Sequence, residues 1–314
     1  MTLVRTRSRP GLFFSDSGEG EPILLITGWT ISSAVFEPVA DRYLPHARVI
    51  AYDHRGSGRS APWLAPVSMA MLAADAARVL NECGLQSAHV VGVSMGAMVG
   101  LELAVRMPSR VKSLVLIGGG PGGPLSRTGK PLATARTLVE LMRDSLEHGR
   151  PWPAAALFSP RFRAEHPERV AELVKPFGRH RAPPWTIGFQ TLAASCFGRY
   201  GALGRVRAPT LVLHGDQDVM SPVANALILT REIPGSELHL ERGAGHAVPM
   251  ERPGACAEVL LQWVARHAAH EPASAAPWDA VTERVTRPFS LHAGALRNTC
   301  QMPPAVWRGL GWPL

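Results

Sequence analysis

An apolar run of strand length, Ala88 to Val93, breaks at a glycine-flanked serine and continues at once into small, helix-compatible residues, giving HVVGVSMGAMVGLEL over 89–103. This is the sequence form of a strand, a tight turn and a helix. The turn forces Ser94, at its apex, into a strained backbone conformation. Positions two residues to either side must then lack bulk, a condition that Gly92 and Gly96 meet. The hydroxyl is left protruding above the sheet. The helix that begins here aims backbone N–H groups at the same spot, which favours negative charge developing on a bound carbonyl oxygen. With 30 glycines in 314 residues, a G-x-S-x-G pentapeptide could arise in an ordinary loop. The strand before it and the helix after it give the nucleophile reading its weight.

The rest of the chain repeats the strand signal. Leu3 to Arg7 and Leu12 to Ser15 read as short edge strands around Pro10-Gly11. Pro22 to Ile26 is a continuous apolar run, expected of a strand buried on both faces of a parallel sheet. It runs into Thr27-Gly28-Trp29, where the glycine lets the backbone bend close to the carboxyl edge of the sheet, so the N–H of Trp29 is a candidate oxyanion donor. Ala34 to Tyr43 reads as helical. After a strand at Arg48 to Tyr52 comes DHRGSGRS, which lacks the lysine and spacing of a phosphate loop and reads as a structural turn held by Asp53 and Arg55. Ser68 to Cys83 has helical periodicity and stops at Gly84. Val111 to Ile117 is a strand that exits through the glycine- and proline-rich stretch Gly118 to Pro124, with no phosphate-binding helix start in register.

From about Pro131 to Arg205 the strand pattern disappears. Helix-like pieces (Thr134 to Glu147, Glu168 to Lys175, Trp185 to Phe197) broken by prolines suggest a helical cap laid over the sheet. Met142, Phe158, Phe162, Phe177, Trp185, Phe189 and Phe197 either line an apolar pocket or hold the cap together. Strands return at Thr210 to His214 and Glu237 to Leu240, and a helix from Pro253 to about His267 closes the pattern. The expected organisation is a core over 1–120 and 206–269, a cap insertion over 121–205, and a proline-rich extension over 270–314 carrying Trp278, Phe289, Trp307 and Trp312.

Composition excludes several classes. At 46% hydrophobic and 18% charged the chain folds, and no apolar run approaches the roughly 20 residues a membrane-spanning helix needs. MTLVRTRSRP is followed by no apolar signal core, so no secretory signal is expected. Cys83, Cys196, Cys256 and Cys300 show no C-x-x-C spacing, which suggests neither a metal site nor a disulfide framework; reduced thiols in the cytoplasm are the expectation. The net charge of +8 is spread as single arginines, so no nucleic-acid partner is expected. Membrane association would come only through the aromatic tail. Oligomeric state is not legible.

A serine hydroxyl is a poor nucleophile near neutral pH. It needs an imidazole within hydrogen-bond reach, and the imidazole needs a carboxylate to fix its tautomer and stabilise its charged form. In a parallel sheet the carboxyl ends of all strands share one edge, so Ser94, Asp218 and His246, each just past a strand, can converge. Asp216 is a rival acid. The chain order Ser, Asp, His is that of the strand-turn-helix nucleophile arrangement.

On these motifs the chain, over about Leu3 to His267, resembles an α/β-hydrolase fold enzyme. DHRGSGRS, GVSMG, LHGDQDVMSP and GAGHAVPMERP are similar to those of the cofactor-free haloperoxidases, enol-lactonases and aclacinomycin methylesterases. The resemblance implies an α/β fold with a mostly parallel central sheet, helices on both faces and an inserted helical cap. It implies Ser94 as nucleophile, His246 as general base and then acid, and Asp218, at the second acidic position of its loop, as the orienting carboxylate. The N–H groups of Trp29 and Met95 would form the oxyanion hole, His214 would support the acid loop, and no cofactor or metal is implied. The expected activity is cleavage of a small, largely apolar carboxylic ester, lactone or thioester. Alternatives are C–C bond hydrolysis or perhydrolysis with the same residues, and a non-catalytic small-molecule receptor or scaffold. Many relatives have histidine where this chain has Thr27, which leaves the backbone donors intact but predicts different bonding within that loop.

Overall fold

The computed structural model describes residues 2–5, 10–123, 126 and 154–274. The apolar runs form the strands of a single sheet: β1 (Thr2–Arg5), β2 (Phe13–Ser17), β3 (Pro22–Ile26), β4 (Arg48–Tyr52), β5 (Ala88–Val93), β6 (Val111–Ile117), β7 (Thr210–Gly215) and β8 (Glu237–Glu241). Their order is β1-β2-β4-β3-β5-β6-β7-β8. β1 and the β2–β4 pairing are antiparallel, and from β4 through β8 every neighbour is parallel. The parallel strands therefore end at one common edge.

Alternate residues of the parallel strands feed two separate cores. Leu24, Ile26, Ile50, Val90, Leu114 and Val212 face one layer; Ile23, Leu25, Val49, Val91, Val115 and Leu211 face the other. This two-sided burial explains why the strands read as unbroken apolar runs, each fully buried aliphatic side chain contributing about 1.5–3 kcal/mol. The first layer is covered by α1 (Met69–Glu82) and α2 (Met95–Arg106) through residues such as Leu72, Leu80, Leu101 and Leu103. The second is covered by a 3-10 segment, Ser33–Arg42, and by the closing helices α8 (Val248–Glu251) and α9 (Pro253–Arg266), with Trp263 fully buried.

Between β6 and β7 lie α3 (Ala154–Leu157), α4 (Pro160–Glu165), α5 (Pro167–Gly178) and α6 (Pro184–Ser195). Leu157, Phe162 and Phe177 pack into the second layer, whereas Ala193, Phe197 and Leu203 pack into the first, so this part of the chain straddles the sheet. The expected helix at Thr134 to Glu147, with Met142, lies outside the described residues, as does the chain beyond residue 274. The segment expected to be helical at Ala34 to Tyr43 is a 3-10 helix, with Pro38 inside it removing a backbone donor. A helix that the periodicity did not suggest, α7 (Val223–Glu232), follows the acid loop and starts at Pro222.

The DHRGSGRS segment is a held turn. Asp53, fully buried, accepts bonds from the N–H and hydroxyl of Ser33 through one oxygen and from the N–H of Arg59 through the other. Arg55 makes a bidentate pair with buried Asp75 at 2.6 Å for both bonds and stacks on Trp63. Removing either member would leave an uncompensated buried charge, a cost of about 3–5 kcal/mol. Cys83 and Cys256 are free. No described helix is long and apolar enough to cross a membrane.

Candidate active site

Ser94 sits where β5 turns into α2, with φ 57° and ψ −118°. For a non-glycine residue this left-handed conformation costs on the order of 1–3 kcal/mol. The surroundings hold it: its N–H donates to Ile117 O at 2.8 Å, and its carbonyl accepts from Ala97 at 2.9 Å. The flanking glycines are sterically required. A Cβ on Gly92 would fall 2.2 Å from Gly96 O, and one on Gly96 would fall 2.2 Å from Ile26 O.

Ser94 lines a cleft together with Gly28, Trp29 and His246. Gly28 passes so near the serine that a Cβ there would lie 3.3 Å from Ser94 Cβ, which brings the Trp29 backbone to the same place. Met95 opens α2, so its N–H is one of the first-turn donors that a helix cannot use internally. Thr27, the departure noted in the sequence, bonds within its loop: its hydroxyl donates to Ile31 O at 3.1 Å, and its carbonyl accepts from His54 Nε2 at 3.1 Å.

The two candidate acids separate clearly. Asp218 Oδ2 lies 2.7 Å from Nδ1 of His246, and its Oδ1 accepts the N–H groups of Met220 and Ser221 at 2.8 Å each. Asp216 is exposed and accepts the N–H of Gly243 at 2.7 Å, so it closes a loop. His246 is 6% exposed. Burial opposes its protonation, but the charge and hydrogen bond of Asp218 outweigh burial and raise its pKa above the ordinary 6.5. His214 stands behind the acid, with Nε2 2.6 Å from Ser221 O and 3.4 Å from Asp218 Oδ2. Burial lowers its pKa against the pull of Asp218 and Ser221, so it is a neutral support for the loop. Gly118, at φ 59°, passes so close that a Cβ would lie 3.2 Å from the His246 ring. The glycine tract after β6 makes room for the imidazole.

The cleft is open to solvent at its mouth. Its wall is apolar, with Ile31, Val35, Phe36, Leu157, Phe177 and Met250 prominent. Of the aromatic residues expected in this region, Phe177 reaches the cleft. Phe158, Phe162 and Phe197 are buried in the cores, Phe189 packs against one, and Trp185 is 46% exposed. Two supporting residues were not anticipated. Buried Glu251 accepts the N–H of Gly245, next to His246, at 2.9 Å and the hydroxyl of Ser159, ahead of α4, at 2.5 Å. Fully buried Gln190 on α6 bonds two loops at once. Glu251 stands in the GAGHAVPMERP motif and was open to discovery; Gln190 has no local signal. Among the described residues no cluster of three or more His, Cys, Asp or Glu could hold a metal ion.

A family model described as alpha/beta hydrolase fold matches residues 21–253. The chain is 29% identical over 252 residues to a protein of Azorhizobium caulinodans provisionally named carbamate hydrolase RutD, covering 80% of this chain and 93% of that one. It is 29% identical over 265 residues to a 2-hydroxy-6-oxononadienedioate/2-hydroxy-6-oxononatrienedioate hydrolase of Dechloromonas aromatica, covering 81% and 90%. Among solved structures, a thermophilic esterase from Thermogutta terrifontis superposes with a TM-score of 0.71 at 25% identity, covering 85% of this chain and 98% of that one.

Proposed function

The chain belongs to the α/β-hydrolase fold family, and from that premise we propose that it is a serine hydrolase cleaving a carboxylic ester, lactone or thioester through an acyl-enzyme. The observation that carries the reading is the 2.7 Å pairing of buried Asp218 with Nδ1 of His246, whose imidazole lines the same cleft as Ser94. With its Nδ1–H donated to the carboxylate, the imidazole presents Nε2 as the basic nitrogen. Ser94 Oγ attacks the substrate carbonyl carbon as His246 takes its proton, and the oxyanion so formed accepts from the N–H groups of Trp29 and Met95. Collapse breaks the bond to the leaving oxygen or sulfur, which takes the proton from His246. Water then repeats the sequence, giving the acid and restoring the serine.

The apolar cleft supports a small substrate with a largely apolar acyl group. The name of the Dechloromonas relative describes a hydrolase of an unsaturated keto dicarboxylate, and the same residues could cleave a C–C bond in such a substrate. However, no lysine or arginine stands among the described residues that line this cleft, which favours an uncharged acyl group. The helices between β6 and β7 act as the cap, contributing Leu157 and Phe177 to the pocket wall.

A fluorophosphonate probe and a panel of esters and diketones test the reading. Wild type should be labelled and should release acid from esters, while Ser94→Ala should do neither. Wild type that stays unlabelled and inert yet binds apolar ligands would replace this reading with a receptor.

A further inference from the structure

The oxyanion loop carries a strained residue next to its proposed donor. Thr30, immediately after Trp29, has φ 60°, an unfavourable conformation for a β-branched side chain. What holds it comes from far away in the chain. The N–H of Thr30 donates to Oε1 of Gln190 at 2.8 Å, and Nε2 of Gln190 donates to Ser57 Oγ at 2.9 Å. A backbone N–H can only donate, so the amide oxygen must face Thr30 and the amide NH2 must face Ser57. Gln190 is 0% exposed, and both ends of its amide are engaged.

These bonds close a ring. His54 holds Thr27 O through Nε2, the N–H of Ser57 donates to His54 O at 2.9 Å, and Gln190 joins Ser57 to Thr30. The segment Gly28-Trp29 is thus pinned on both sides, at Thr27 by the DHRGSGRS turn and at Thr30 by α6. Rotation of the Trp29–Thr30 peptide would turn the backbone of Trp29, whose N–H aims at the developing charge. The same helix makes a second contact with the turn, from Thr186 Oγ1 to Gly56 O at 3.0 Å, which does not touch the oxyanion loop.

We propose that Gln190 is a positioning residue for the oxyanion hole, so that docking of α6 and completion of the hole are one event. The inference rests on the acyl-enzyme reading above. It ties α6, which does not itself line the cleft, to the oxyanion loop: displacing the helix removes the prop from Thr30.

The test is steady-state hydrolysis of a short-chain p-nitrophenyl ester by the full chain, with fluorophosphonate labelling and thermal melting run in parallel. Gln190→Ala and the isosteric Gln190→Met should lower kcat about 10- to 100-fold while KM changes less than about threefold, since the loss falls on the transition state. Gln190→Glu, whose carboxylate accepts from both Thr30 N–H and the Ser57 hydroxyl, should recover at least about fivefold of that kcat. Thr186→Val, which loosens the same helix elsewhere, should keep kcat within about threefold. The inference is overturned if Gln190→Met changes KM alone or melting alone, or if Thr186→Val loses as much kcat as Gln190→Met. Wild type that is unlabelled and inactive would remove the acyl-enzyme reading and this inference with it. Labelled, active wild type with unaffected Gln190 variants would remove this inference alone.

Discussion

Nδ1 of His246 lies 2.7 Å from Oδ2 of Asp218, while the other oxygen of that carboxylate is held by two backbone N–H groups of its own loop. The carboxylate is thus held by its own loop and orients the imidazole through a single hydrogen bond. Asp216, two residues earlier, spends its bond on Gly243.

Asp218→Asn should therefore lower kcat by about 10³–10⁴-fold with little change in fold, because the amide presents a donor to Nδ1 and favours the wrong tautomer. Asp216→Asn should leave kcat within about twofold. Steady-state kinetics of the two variants decide this, and an equal loss in both would refute the assignment.

The pH profile follows from the same pair. His246 must be neutral to act as base, and its pKa is raised above 6.5 by Asp218 against the effect of burial. The rate should rise with pH, with the midpoint of the acid limb above 6.5 in kcat/KM. Removing the negative charge in Asp218→Asn leaves burial unopposed, so the midpoint of its residual activity should move to lower pH. An unmoved midpoint would show that another group titrates.

Acid stability should depend on a histidine far from the cleft. His89, at the start of β5, is fully buried between Ser113 Oγ at 2.8 Å and Glu21 at 3.3 Å. Burial, helped by Lys112, lowers its pKa to about 4. The unfolded chain binds this proton near 6.5 and the folded chain resists it until about 4, so stability falls as pH drops through that window, by on the order of 3 kcal/mol. Urea unfolding at pH 6.5 and 4.5 should show a smaller difference in His89→Gln than in wild type.

Strain at Ser94, the proposed nucleophile, predicts a trade between stability and activity. Ser94→Gly and Ser94→Ala should both abolish turnover. Glycine accepts φ 57° freely, so the glycine variant should melt higher than the alanine variant by a margin equivalent to about 1 kcal/mol. Gly92→Ala or Gly96→Ala should instead yield insoluble protein, since each added methyl meets backbone oxygen at 2.2 Å. Differential scanning calorimetry and soluble expression read these outcomes.

Chain-length preference should respond to Phe177, which α5 inserts into the cleft wall. Phe177→Ala should raise the ratio of kcat/KM for long over short acyl esters by about 10-fold, as expected for extra methylenes gaining an apolar site. A ratio unchanged across the acyl series would place the acyl group elsewhere.

Much of this was legible before any coordinates. Unbroken apolar runs such as Pro22 to Ile26 announce two-sided burial, and the three strand ends that carry Ser94, Asp218 and His246 share one edge once the sheet is parallel. What failed to show has a physical reason in each case. Helix α7 follows the acid loop with no contrast in apolar periodicity to mark it. Glu251 was visible as a letter in a motif, but its role depends on Ser159, 92 residues away.

The sequence by itself determined the parallel sheet, the strained serine and the set of groups available at its edge, because alternation, glycine spacing and strand ends are local properties that burial acts on directly. Tertiary structure alone decided which aromatic reaches the cleft and that a glutamine 160 residues from Thr30 bonds the loop after β3. Those outcomes turn on hydrogen-bond distances between parts of the chain that share no local pattern, and they exist only after the cores have closed.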